Sequence, residues 1–184
     1  MLNDIYEDAR DRMDKAVEKT RHDLASIRTG RASTALLDGI KVDYYGTKTP
    51  LKQLAQVGAP EPRLLVIQPY EKNIIPDVER AILESDLGLN PQNDGIVIRL
   101  PIPELTRERR EELTRYVHKL AEEGRIAIRN IRRDANDTVK ELEKEHEISE
   151  DNAHRAMETI QEITDEHIKR IDEHLEHKEQ EIQE

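Results

Sequence analysis

The chain has 184 residues, with 40 Asp and Glu against 29 Lys and Arg, and a formal net charge of -11. Charged residues make up 38% and aromatics 3%, with no Phe, Trp or Cys, which excludes disulfides and thiolate metal sites and favours long solvated helices over a thick interior. The longest aliphatic run, Leu64 to Ile67, is far short of a membrane span, and the N-terminal stretch has no apolar segment of signal-peptide length, so a cytoplasmic protein with no membrane partner is expected.

A helical period runs first through Leu2, Ile5, Ala9, Met13, Ala16, Val17, Leu24 and Ile27, with Asn3 as the expected cap and Gly30 as the expected left-handed stop. From residue 30 to 103 the texture changes. Every proline and all but one glycine fall there, and alternation replaces the helical period. Gly39 to Gly46 alternates as a half-buried strand, Arg63 to Gln68 and Ile96 to Leu100 read as two more, and a short helix is expected from about Pro76 to Leu87, with Gly88 past its end. Thr106 then caps a second long helix, whose stripe of Leu113, Val117, Leu120, Gly124, Ile128, Ile131, Ala135, Val139 and Leu142 implies roughly 40 residues and about 60 Å. Ser149, followed by Glu150 and Asp151, opens a third stripe of Ala153, Ala156, Ile160, Ile163, Ile171, Leu175 and Ile182.

Each long helix carries one apolar stripe on a charged circumference, so none is stable alone and the three close most simply on one another. The expected architecture is α+β with two domains. Residues 1–29 and 106–184 form an elongated, discontinuous three-helix bundle, and residues 30–105 form a small inserted domain of strands and one helix. The hinges between them are expected at Thr29, Gly30 and Arg31 on entry and at Pro101, Ile102, Pro103, Glu104 and Leu105 on exit.

Charge is spread unevenly. Residues 107–133 hold nine Arg and Lys against five acids, a net +4, whereas residues 134–184 hold six against eighteen, a net -12. Within the basic stretch Arg125, Arg129, Arg132 and Arg133 fall in nine positions with no acid between them. On a helical wheel with Arg125 at zero, Arg129 lies at about 40°, Arg132 at about 340° and Arg133 at about 80°, while the apolar stripe centres near about 260°. The guanidiniums are therefore expected to point away from the core. Arg suits phosphate oxygens, and with no ring nearby the expected contact is to the backbone and shape of structured RNA. The plainer alternative is a solvated face paired with Glu122, Glu123, Asp134 or Asp137.

His167, His174 and His177 fall at spacings that share a helix face, but among so many acids they read as a hydrated polar face and not a metal site. No nucleophile elbow, phosphate-binding glycine loop or zinc-protease motif is present. Neither an enzyme nor a bound cofactor is expected.

Several stretches together resemble the ribosome recycling factor family: Ile27 to Ala32, Asp43 to Thr47 with Pro50 and Leu51, Ser85 to Pro91, Val117 to Asn136, and Glu147 to Asp151, in unbroken order over the full length. The resemblance implies an L-shaped arrangement of a three-helix bundle and a hinged small domain. It implies a factor that, with elongation factor G and GTP, splits post-termination ribosomes into subunits and performs no chemistry itself. It also implies that arginines of the long helix, here Arg129, Arg132 and Arg133 with Arg125 beside them, contact large-subunit ribosomal RNA, with Arg28 and Arg31 as further candidates, in a monomeric protein. The rival reading is a coiled-coil scaffold whose stripes join separate chains, against which the inserted domain argues.

Overall fold

The structure, a computed structural model, describes residues 1–184. In chain order the elements are α1 (Leu2–Ala25), β1 (Lys41–Tyr44), β2 (Thr47–Pro50), α2 (Leu51–Leu54), β3 (Ala55–Glu61), β4 (Leu64–Pro69), α3 (Ile75–Glu84), β5 (Gln92–Asn93), β6 (Ile98–Pro101), α4 (Arg107–Lys144) and α5 (Glu150–Gln183). Short 3-10 turns lie at Thr34–Leu37 and Lys72–Ile74. The fold is α+β, as expected, with long helices and a small antiparallel sheet. The chain divides into two compact units, one of Met1–Leu24 with Thr114–Gln180 and the other of Ala25–Leu113 with Glu181–Glu184.

In the first unit the three apolar stripes are buried. Ala9, Met13, Val17 and Leu24 come from α1, Val117, Ala121, Ile128, Ile131, Ala135 and Val139 from α4, and Ala153, Ala156, Ile160, Ile163, Ile171 and Leu175 from α5. The alternating steps of three and four along α4 keep one seam inward, and each fully buried Ile contributes about 2 kcal/mol. Gly124 lies in this seam. A β-carbon there would collide with the Thr20 hydroxyl and stand 3.0 Å from Ile171 Cδ1, so the missing side chain is what lets the three helices approach.

The caps of the two longer helices form as the sequence requires. Arg109 N donates to Thr106 Oγ1 at 3.1 Å, and Asn152 N donates to Ser149 Oγ at 3.1 Å. Between α4 and α5 the chain turns through His146, with φ at 58°, and Glu147 N closes on Leu142 O at 2.9 Å. The start and end of α1 differ from expectation. It begins at Leu2, which places Asn3 inside its first turn, and it stops at Ala25, five residues before Gly30. Gly30 does adopt the left-handed conformation, φ 79°, but within the segment that follows the helix.

The second unit pairs β1 with β2 in a hairpin and builds a separate four-stranded antiparallel sheet in the order β3-β4-β6-β5. Leu65 and Ile67 of β4 and Ile98 and Leu100 of β6 point to one face. They join Val78 and Ile82 of α3 and Val42 of β1 in one core. The short helix starts at Ile75, with Pro76 in its first turn, and ends at Glu84, three residues before the expected Leu87. Asp94 secures the last turn of the sheet by accepting hydrogen bonds from Val97 N, Arg99 Nη1 and Ile96 N, which hold its carboxyl far below the usual range.

Candidate nucleic-acid interface

The arginines of α4 share a helix but not a fate. Arg125 sits one position past Gly124, on the flank of the stripe where α5 packs, and its side chain is only 19% exposed. Its Nε and Nη2 donate to Asp172 Oδ1 at 2.9 and 2.6 Å, and its Nη1 donates to Glu122 Oε2 at 3.0 Å. Burial opposes the charge, but Asp172 and Glu122 outweigh it and raise the Arg125 pKa. Arg125 is thus a staple between α4 and α5. This departs from the expectation that all four guanidiniums point away from the core, and for Arg125 it follows the plainer alternative of pairing with Glu122, with Asp172 as a second partner. A wheel drawn for one helix gives the angle from the stripe's centre but not the reach of the neighbouring helix.

Arg129 is intermediate. Its Nη1 donates to Glu122 Oε1 at 2.8 Å while the side chain remains 39% exposed, and the guanidiniums of Arg129 and Arg125 together hold the Glu122 carboxyl below its ordinary value. Arg132 and Arg133 are the freest of the group. Arg132 has only a long contact, 3.4 Å, from Nη1 to the neutral amide oxygen of Gln161, and Arg133 is exposed with no ion pair. The nearest acid in sequence, Asp134, is taken by Arg12 of α1 at 3.0 Å.

The two arginines of the other unit also differ. Arg28 is half-buried and makes no ion pair, whereas Arg31 Nη1 donates to Glu184 Oε2 at 2.7 Å. Several contacts lie near Arg31. A β-carbon on Gly30 would lie 3.3 Å from Leu105 Cγ, Thr29 Oγ1 donates to Glu181 Oε2 at 3.5 Å, Ile102 N donates to Arg63 O at 2.8 Å, and Arg63 pairs with Glu104.

Of the three histidines, His167 is not on a hydrated face. It is buried, with Nδ1 2.6 Å from Ile163 O and Nε2 2.8 Å from Asp14 Oδ1, and Arg170 Nη1 donates to the same Asp14 oxygen at 2.7 Å. Hydrogen bonds from Arg170 and then His167 hold Asp14 below its ordinary value. Asp14, 153 positions away, gave no local sign of this pairing. His174 is half-buried, and its pKa is lowered by burial and then by Arg21 and Arg170. No group of three His, Asp or Glu side chains is arranged to hold a metal ion.

Comparison with known proteins first gives the class: residues 20–182 match the family described as ribosome recycling factor, whose members are translation factors and not enzymes. Over 184 residues and all of both chains, the sequence is 57% identical to the ribosome-recycling factor of Halothermothrix orenii. It is 58% identical over 185 aligned positions to that of Rubrobacter xylanophilus, again covering both chains completely. Among solved structures, the solution structure of a ribosome recycling factor superposes with a TM-score of 0.82 at 48% identity, covering 99% of this chain and 97% of that one. A second, at TM-score 0.74 and 52% identity, covers 99% and 98%. It belongs to models of the T. thermophilus ribosome recycling factor and E. coli elongation factor G bound to the E. coli post-termination complex. The chain belongs to the ribosome recycling factor family.

Proposed function

We propose that this chain acts in the cytoplasm after translation termination, with elongation factor G and GTP, to split post-termination ribosomes into subunits. The observation that carries this reading is the full-length similarity to a factor bound with elongation factor G on a post-termination complex. The protein supplies a lever and no chemistry of its own; the energy of GTP belongs to the partner.

The bundle grips large-subunit ribosomal RNA chiefly through Arg132 and Arg133, with Arg129 in a weaker role and Arg28 as a further contact. Arg125 and Arg31 are assigned to holding the fold, because each already has carboxylate partners within its own unit. The small domain, residues 30–105, turns on the bundle about residues 29–31 and 101–105, which lie inside the second compact unit a few residues from where its chain joins the first, with the left-handed Gly30 as the point of compliance. The protein works as a monomer, since the apolar stripes of its three long helices are buried against one another and leave no seam for a second chain, which also disfavours the scaffold reading.

Mixing the protein with post-termination ribosomes, elongation factor G and GTP and following light scattering tests this. A fall in scattering that requires all three additions is expected. Unchanged scattering with an active translocase overturns the proposal.

A further inference from the structure

The chain has only five aromatic rings, all tyrosines, and three of them lie in the small unit at positions 44, 45 and 70. Tyr45 and Gly46 form the two-residue turn between β1 and β2, with Tyr44 paired to Thr47 and φ angles of 48° and 82° at the turn residues. Two positive φ values define a type I′ turn, whose first position favours Asn, Asp or Gly, because a side-chain-bearing residue with a bulky ring is disfavoured there. The left-handed backbone at His146 closes the end of α4, but the hairpin would close as well on Asn. The ring itself is unexplained by packing: Tyr45 is 78% exposed.

Its surroundings hold it in place. The Tyr44 ring meets it edge to face, with centroids 4.6 Å apart and planes at 75°, and the Tyr44 hydroxyl donates to Glu71 Oε1 at 2.8 Å. Asn73 Nδ2 reaches the Tyr45 hydroxyl at 3.5 Å, and Tyr70, next to Glu71, is 70% exposed. Of the lysines on the hairpin and the segment beside it, Lys48 pairs with Asp43 at 3.1 Å and Lys52 with Asp38, and Lys41 lies at the end of the hairpin away from the turn. Lys72 is exposed and makes no ion pair.

We propose that the small unit carries an RNA contact of its own, in which Tyr45 stacks on an unpaired nucleobase while Lys72, next to the Asn73 that reaches the Tyr45 hydroxyl, faces an adjoining phosphate. This rests on the reading of the chain as a ribosome-binding factor. A protein partner fits less well, since lysine is depleted from protein interfaces and a two-residue turn tip offers far less than the roughly 800 Å² per partner that a stable complex buries. A single exposed ring suffices for stacking, which any base satisfies through its π-face.

The test uses the full chain on ribosomes, with Tyr45→Ala, Tyr45→Asn, Tyr45→Phe and Tyr45→Trp compared with wild type. Ribosome affinity should fall about tenfold in Tyr45→Ala and Tyr45→Asn and be retained in the Phe and Trp variants. Tyr45→Asn should melt at or above the wild-type temperature, which separates loss of the ring from loss of the hairpin. A benzophenone amino acid at position 45 should cross-link to ribosomal RNA. Wild-type affinity in Tyr45→Ala and Tyr45→Asn, or cross-links to protein alone, overturns the stacking contact while leaving the recycling function intact. Failure of the wild-type chain to bind ribosomes overturns both.

Discussion

Arg132 and Arg125 lie seven positions apart on α4 yet are bound so differently that their substitutions should separate cleanly. Arg132→Ala should weaken ribosome binding by about tenfold with no loss of helicity by circular dichroism, because its only partner is a neutral amide. Arg125→Ala should instead lower stability by about 1 kcal/mol in denaturant unfolding and leave affinity almost unchanged, because it releases Asp172 and Glu122. The Glu122 partnership was legible from its i, i+3 spacing to Arg125. Asp172 was not, since it reaches Arg125 from another helix 47 positions on, and only the packing of α4 on α5 reveals it. Asp14 gives a third case. Its carboxyl is depressed below 3.8 by Arg170 and His167, so its contribution is present above the unfolded value and is lost as pH falls through the lower folded value. Asp14→Asn should therefore narrow the stability gap to wild type below about pH 4, and acid titration of the two proteins checks this. Because Asp14 is about half exposed, solvent screening keeps the effect under about 1 kcal/mol.

Among the elements, helices were far easier to read than strands. Thr106 and Ser149 announced the starts of α4 and α5, and the long stripes fixed their extent, because a single helix repeats its signal over many turns. The strands β1, β4 and β6 carry alternating or continuous apolar residues and were visible. By contrast, β2 reads Thr-Lys-Thr-Pro and β3 contains Gly58 and Pro60, so neither shows a strand pattern, and both are specified by their antiparallel partners. α1 stops at Ala25 with no glycine at its end, which no local signal announces. Gly124 illustrates the opposite conflict, where local propensity disfavours a residue that packing demands. Gly124→Ala gains about 1 kcal/mol of helix propensity but drives a β-carbon into Thr20 and Ile171, so the net result should be destabilisation by about 1–2 kcal/mol. Adding Thr20→Ala should recover part of that loss, and thermal melts of the single and double variants give the comparison.

At the scale of the molecule, the proposed RNA contacts of Arg132 and Arg133, with Arg129 and Arg28 in addition, involve few phosphates, so affinity for ribosomes should fall only shallowly with salt, with a log-log slope on the order of -2 to -4. Gly30 sets the proposed motion. Gly30→Val meets both a left-handed backbone and Leu105 Cγ, and it should slow subunit splitting in stopped-flow light scattering more than it reduces binding measured by co-sedimentation. The small unit's share of the aromatic residues has a practical consequence. With no tryptophan, near-ultraviolet emission comes from tyrosine alone, three of whose five copies sit among the strands, while the far-ultraviolet amide band is dominated by the long helices. One unlabelled sample thus carries two optical reporters, and melting curves that part company at the two wavelengths would reveal that strands and helices come undone as separate cooperative events.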